Sequence, residues 1–330
     1  MALSDRVHTL GQDLLARHGE RVHKIAIDAG FTCPNRDGSK GIGGCTFCNN
    51  QSFNPADPAI SCGSTPGITP ILPSSAGGRV RRSRLPVTLE AQVARAKQAI
   101  AQGTGARKYL AYFQAYTNTY ADVETLRRLY DAALALPGVI GLSIGTRPDC
   151  VPEAVLDLLA GYRAAGHEVW LELGLQSAFD ETLERVNRGH GMAEYITATR
   201  AARARDLPVC CHLILGLPGE DASHYRQSLE RVLDTGVDGI KLHPLHVVRH
   251  TVLANQWQRG EYTPLSQTDY VRAAADLIER TPWPVRFHRV TGTAPADLLL
   301  APAWVVHRWP TLNAIEAELG RRGTRQGTLA

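Results

Sequence analysis

The sequence predicts an α/β protein built around a parallel sheet, on three observations. Six strand-like runs alternate with helix-like stretches between residues 23 and 280, the pattern of consecutive strand–helix units. Several of the runs are nearly continuous apolar segments, as strands covered on both faces tend to be. The chain has 330 residues at 44% hydrophobic content, enough for one large or two to three small domains with a substantial core. An open doubly wound sheet and a barrel both satisfy the pattern, and periodicity alone does not separate them.

The first stretch, "MALSDRVHTLGQDLLARHGE", places Val7, Leu10, Leu14 and Leu15 on one side of a short helix. It lacks a basic region followed by a continuous apolar stretch, so it does not read as a signal peptide. Strand-like runs follow at residues 23–29, 108–113, 139–144, 168–175, 209–215 and 238–243. Between them, residues 88–102 read as the first core helix. Residues 122–136 set Val123, Leu126, Leu129, Tyr130 and Ala133 at helical spacing. Residues 152–165 begin with Pro152, suited to a first turn. Residues 179–187 and 193–205 read as two helical pieces. Residues 222–235 follow an N-cap at Asp221 and stop at Gly236. Residues 268–280 supply the last helix of the series.

Two segments break the alternation. Residues 54–87 are rich in Pro, Gly and Ser and contain "GGRVRRSRLP", which reads as an inserted basic loop. Residues 282–330 carry "RFHRVTG", Trp283, Trp304 and Trp309, a final helix near 311–322, and an end, "RRGTRQGTLA", that reads as frayed. The expected division is an N-terminal helix over 1–20, a core over 21–265 and a C-terminal extension over 266–330. No run of eighteen apolar residues occurs, so no membrane span is expected. The net charge of +4 permits an anionic ligand or nucleic acid without requiring either. A cytoplasmic location is expected. There, seven cysteines are thiols or metal ligands rather than disulfides.

In parallel α/β folds ligands sit beyond the carboxyl ends of the strands. The segments there are "GFTCPNRDG", "QAYTNTYAD", "GTRPDC", "QSAFDETLERVNRGH", "GLPGED" and "PLHVVRH", nearly all polar or glycine-rich. The first leads into Cys33, Cys45 and Cys48. Gly38, Gly41, Gly43 and Gly44 fill the gap between the first two and allow it to bend back. Thiolates select zinc or iron–sulfur clusters. Zinc needs a fourth ligand, for which Cys62 in the insertion is the candidate. A cluster on three thiolates leaves one iron open. The iron–sulfur reading is preferred, with zinc as the alternative. Cys210 and Cys211 read as buried small residues. Cys150 needs no role, and His243, His246 and His250 form no ordinary zinc motif. Arg79, Arg81, Arg82 and Arg84 read as a solvated run, with RNA contact as the lesser alternative.

The phrases "IDAGFTCPNRDG…GGCTFCN", "YLAYFQAYTNTYA", "GTRPDCVPEAVLDLL", "WLELGLQSAFDETLERVNRGH", "HLILGLPGE" and "DGIKLHPLHVV" together resemble the YhcC-type branch of the radical S-adenosylmethionine (radical SAM) proteins. That branch is related to the Elongator catalytic-subunit group. The eleven-residue first gap departs from the three residues of most members. The resemblance implies a partial (β/α)6 TIM-like barrel with a C-terminal α/β extension. It implies a [4Fe–4S] cluster held by Cys33, Cys45 and Cys48, with S-adenosylmethionine (SAM) on the fourth iron. Phe47 would shield the cluster or pack near the adenine.

Many relatives carry Gly-Gly-Glu after the second strand. This chain has "FQAYTNTY" there, so Gln114, Tyr116, Thr117 and Asn118 are the candidates for that contact. Oxygen-independent coproporphyrinogen oxidase, a relative, holds SAM with a Gln after strand four and an Arg twelve residues on. Gln176 and Arg188 stand at those positions. Arg147 and Asp149 lie where that relative has an acidic residue, and His212 replaces an Asp. The implied chemistry is reductive cleavage of SAM and hydrogen abstraction from a substrate, either a small molecule or RNA. The electron would come from a donor such as flavodoxin or ferredoxin. The competing hypothesis is a non-catalytic zinc or iron–sulfur module that binds nucleic acid. The substrate itself is not readable, because the fold hosts many chemistries.

Overall fold

The computed structural model describes residues 3–49 and 88–330. The basic segment over 54–87, with Cys62 and its arginines, lies outside the described residues. The strands are β1 (Val22–Ile27), β2 (Lys108–Phe113), β3 (Val139–Thr146), β4 (Glu168–Gln176), β5 (Val209–Leu215), β6 (Gly239–Pro244), β7 (Val247–Val248), β8 (Arg286–Arg289) and β9 (Leu299–Ala301). Strands β1 to β6 run side by side in chain order, and β8 follows β6. All six pairings are parallel. A separate antiparallel pair joins β7 to β9. Strands β1 and β8 are the two edges of the sheet, yet Lys24 of β1 reaches His288 of β8 at 3.1 Å, so the open sheet curves into a partial barrel.

The helices are α1 (Leu10–His18), α2 (Leu89–Thr104), α3 (Val123–Leu134), α4 (Glu153–Ala164), α5 (Asp180–Arg185), α6 (Met192–Arg203), α7 (Ala222–Leu233), α8 (Val252–Gln258), α9 (Gln267–Arg280) and α10 (Arg308–Arg322). Their ends follow local chemistry. Asp122 accepts from the Thr125 amide to start α3, and Asp221 accepts from the Ser223 and His224 amides to start α7. Pro152 stands at the N-cap of α4, one residue ahead of the helix. Alternate strand residues such as Ile25, Leu142, Leu171, Leu173 and Leu242 join helix residues such as Leu126, Leu156 and Leu229 in one apolar layer. Each such fully buried side chain stabilises the fold by about 1.5–3 kcal/mol.

The inner face of the sheet differs. At its floor, Leu10 and Leu14 of α1 pack on Leu110, Trp170 and Cys210. The N-terminal helix thus plugs the barrel from below. Leu15 does not share that face; it is 43% exposed. Cys210 and Cys211 are both fully buried, as the sequence suggested.

Two expectations for the C-terminal extension need correction. "RFHRVTG" supplies β8, a seventh strand of the main sheet, and α9 is the helix between β6 and β8. Its charged residues hide a strand that turns polar groups toward the barrel interior. The chain end is not frayed. Gln326 is 2% exposed; its side chain accepts from the His8 amide at 2.8 Å and donates to the Val285 carbonyl at 2.7 Å. The tail thereby ties the segment before α1 to the segment before β8.

Candidate cofactor and substrate site

The long gap between Cys33 and Cys45 is a closed excursion. The Arg36 amide donates to the Cys33 carbonyl at 2.8 Å, and the Lys40 and Gly41 amides to the Pro34 carbonyl at 2.9 and 3.1 Å. The Gly44 amide returns to the Asn35 carbonyl at 2.8 Å. Gly43 and Gly44 both take left-handed backbone angles, φ 85° and 81°, which favour glycine. A Cβ on Gly44 would meet Arg36 Nε at 2.7 Å. The chain therefore leaves Cys33, turns back, and delivers Cys45 beside Asn35, whose amide lies 4.0 Å from the Cys45 sulfur. The Cys48 amide bonds the Cys45 carbonyl at 3.0 Å, so the C-x-x-C is one tight turn.

Three guanidiniums surround this loop. Arg147 Nη1 is 3.8 Å from the Cys33 sulfur, and Arg188 Nη1 is 3.5 Å from the Cys45 sulfur. Arg36 Nη2 donates to the Cys48 carbonyl at 2.5 Å. Burial pushes the Cys48 thiol up, as does the neighbouring Cys45, while Arg36 and Arg188 pull it down. Arg147 forks onto both oxygens of Asp149 at 2.9 and 2.8 Å and reaches the Arg188 carbonyl at 2.9 Å. Lys40 joins Asp149 at 2.6 Å. Burial raises the Asp149 carboxyl, but Arg147 and Lys40 outweigh it and hold it well below the usual range. Arg147 and Asp149 thus strap the cysteine loop to the end of β3 and to the turn at residue 188. Cys150 is buried beside Asp149.

Above the carboxyl ends of the strands opens a cavity of about 540 Å³. Cys33, Phe47, Gln114, Tyr116, Thr117, Arg147, Gln176 and Arg188 line it. Gln176 follows a register shift in the β4–β5 pairing and has φ 82°, and Tyr116 has φ 62°. Left-handed non-glycine residues carry strain that concentrates at functional sites. Asn118 is placed differently: it is fully buried, with its amide on the Gly145 carbonyl at 2.7 Å, and it braces the wall from behind. Phe47 packs with the cluster of Val186, Leu217 and Leu245. His243 and His246 line the cavity.

Below the cavity lies a buried polar network that sequence reading missed. Glu172 of β4 is fully buried. It receives Lys24 of β1, His212 of β5 at 2.7 Å, Lys241 of β6 at 3.0 Å and the Ser143 hydroxyl of β3 at 2.5 Å. His288 of β8 lies 3.4 Å away. Lys241 also donates to the Tyr112 hydroxyl at 2.6 Å. Burial drives the His212 pKa down to about 4, so this ring is neutral at pH 7. His212 is thus engaged by Glu172. The signal in sequence was a polar residue at an inner position of otherwise apolar strands.

A parallel partial barrel with a three-cysteine loop beyond its carboxyl ends defines a class, and comparison agrees. The chain matches the radical SAM superfamily over residues 32–232 and the radical SAM C-terminal domain over residues 237–321, and it belongs to this enzyme superfamily. Within it the chain belongs to the family of YhcC and YtqA. It is 45% identical over 329 residues to Protein YhcC of Escherichia coli (strain K12), covering 100% of this chain and 97% of that one. It is 38% identical over 322 residues to the uncharacterized protein YtqA of Bacillus subtilis (strain 168), covering 98% and 92%. Among solved structures, the archaeal Methanocaldococcus infernus Elp3 with an N-terminal deletion shares the fold. Its TM-score is 0.58 at 22% identity, over 71% of this chain and 59% of that one.

Proposed function

We propose that this enzyme holds a [4Fe–4S] cluster on Cys33, Cys45 and Cys48, binds SAM across the adjoining cavity, and abstracts hydrogen from a substrate seated deeper in the barrel. The observation that carries this reading is the folded-back cysteine loop set among three guanidiniums at the cavity rim. The donor set suits the cofactors. Three cysteines sit on one loop, and thiolates are the ligands that iron–sulfur clusters take. Buried polar atoms without partners, Thr117 Oγ1 and Arg188 Nε, are available to a polar ligand.

When bound, the cluster and SAM supply one-electron chemistry that removes hydrogen from carbon. The chain's own residues do the rest. Arg188 and Gln176 offer donors for the carboxylate and ribose of SAM. Phe47 covers the loop with an apolar ring. Arg147 and Asp149 fix the loop against the barrel, which orients the reacting groups. The substrate is a further molecule whose reacting carbon must reach the middle of the cavity.

The test is anaerobic reconstitution, with iron and sulfide counted before SAM and a reductant are added. About four irons per chain and formation of 5′-deoxyadenosine are expected. Cys33→Ala should lose the cluster, and Cys62→Ala should keep it. Zinc held through Cys62, with no SAM cleavage, would overturn the reading. So would full iron content in Cys33→Ala.

A further inference from the structure

We propose that the substrate carries an oxyanion, a carboxylate or a phosphate, which docks between Arg289 and Lys241 on the wall of the cavity. The proposal rests on the radical SAM reading for its word "substrate"; the anion site itself rests on charge and geometry.

Lys241 and Arg289 are paired residues of β6 and β8, and both line the cavity. Their surroundings hold more positive than negative charge. On this side of the cavity Glu172 serves both Lys24 and Lys241. Arg289 has no carboxylate partner among the described residues. Its Nη2 meets only the ring of His243, at 2.9 Å from Nε2, and its Nε is buried without an acceptor. Burial and Arg289 hold His243 well below its ordinary pKa, so the ring is neutral and compensates no charge.

Buried guanidiniums in folded proteins are normally paired, because an isolated buried charge is costly. An uncompensated Arg beside a Lys, both facing a cavity, is the arrangement that a ligand oxyanion completes. A guanidinium presents paired N–H groups to carboxylate or phosphate, and an ammonium adds a point charge. Tyr112 and Glu172 hold that ammonium in place at 2.6 and 3.0 Å. Burial, aided by Arg289 and Lys24 and opposed by Glu172, lowers the Lys241 pKa to about 8; a bound anion relieves the same repulsion. The carboxylate of SAM is not the natural occupant. In the reading above it lies near Arg188, at the end of the central strand β4, three strands from β8.

The experiment titrates the reconstituted, SAM-loaded protein with inorganic phosphate and, separately, with acetate, reading heat by calorimetry. Wild type should bind at least one of the two, and the preferred one identifies the class of group. Arg289→Gln should weaken that binding at least tenfold, and Arg289→Lys should recover part of it. If Arg289→Gln does not fold, the Arg289→Lys and Lys241→Gln variants carry the comparison with the same expected direction. No binding of either anion, equal binding by wild type and variants, or displacement of SAM by the anion would each overturn the proposal. SAM cleavage measured on the same samples keeps the two claims apart. Cleavage without anion binding sinks the anion site alone, and anion binding without cleavage sinks the radical SAM reading alone.

Discussion

Arg188 Nη1 stands 3.5 Å from the Cys45 sulfur, although 143 residues separate them, and its Nη2 donates to the Gly174 carbonyl at 2.5 Å. One guanidinium therefore ties the cysteine loop to the end of β4. It is also buried at the cavity wall, where a carboxylate of SAM would meet it.

Arg188→Met should therefore weaken SAM binding by at least tenfold, on the scale of losing a charge-assisted, two-point contact. Arg188→Lys should keep the charge without the fork and fall between the two. The measurement is the SAM-dependent change in the paramagnetic spectrum of the reduced cluster, read against iron content. Unchanged SAM affinity in Arg188→Met would remove Arg188 from the site.

Two glycines on neighbouring strands separate site geometry from fold stability. A Cβ at Gly174 would meet Gln176 Nε2 at 2.8 Å and Arg188 Nη2 at 2.9 Å, both ends of flexible side chains. Gly174→Ala should thus displace two candidate SAM contacts while costing less than about 1 kcal/mol of stability. A Cβ at Gly141 would lie 1.8 Å from the Glu168 backbone carbonyl, where β3 pairs with β4. Gly141→Ala must open that pairing and should cost about 3 kcal/mol or more. Chemical denaturation checks both, and SAM titration checks the first. A large stability loss in Gly174→Ala would show that the side chains cannot yield.

The strand–helix order was legible in sequence because each outward strand face is apolar and each helix carries a 3.6-residue stripe. The cysteine loop was legible because ligand spacing and glycine content are local. What escaped notice depends on contacts between distant residues. Lys24, Ser143, Glu172, His212 and Lys241 lie on five different strands, and only the parallel register brings them together. Strand β8 escaped because Arg286, His288 and Arg289 disguise it. Asn118 reads as a ligand contact in sequence, yet its amide is turned to the Gly145 carbonyl.

Glu172 is the negative centre of that network. Glu172→Gln leaves the half-buried Lys24 and the buried Lys241 with a neutral acceptor. Removing one partner of a buried ion pair typically costs about 3–5 kcal/mol. A loss of that size in urea denaturation is expected, with Lys24→Met partly restoring stability in the double variant by removing one orphaned charge. A Glu172→Gln protein as stable as wild type would mean that water reaches the network and screens it.

Lys241 gives the protein a signature in its stability against pH. It faces Glu172 and, from the other strands, Lys24, Tyr112, Cys210, His212 and Arg289; burial is the largest influence, and it lowers the folded pKa from 10.5 to about 8. The unfolded chain then binds a proton that the folded chain has released between those two values, so stability rises with pH across that window. Below about 8 both states are protonated and the contribution is flat. Above 10.5 both are neutral and it is flat again. The interval corresponds to on the order of 3 kcal/mol. Other groups titrate in the same range, so the informative quantity is the difference between wild type and Lys241→Met. That difference should move in favour of wild type as pH increases from 8 toward 10.5. Measured by urea denaturation at fixed ionic strength, a difference independent of pH would mean that Lys241 keeps its ordinary pKa in the folded protein. The excess of positive charge at the cavity wall would then be screened, and an anionic substrate would gain less by docking there.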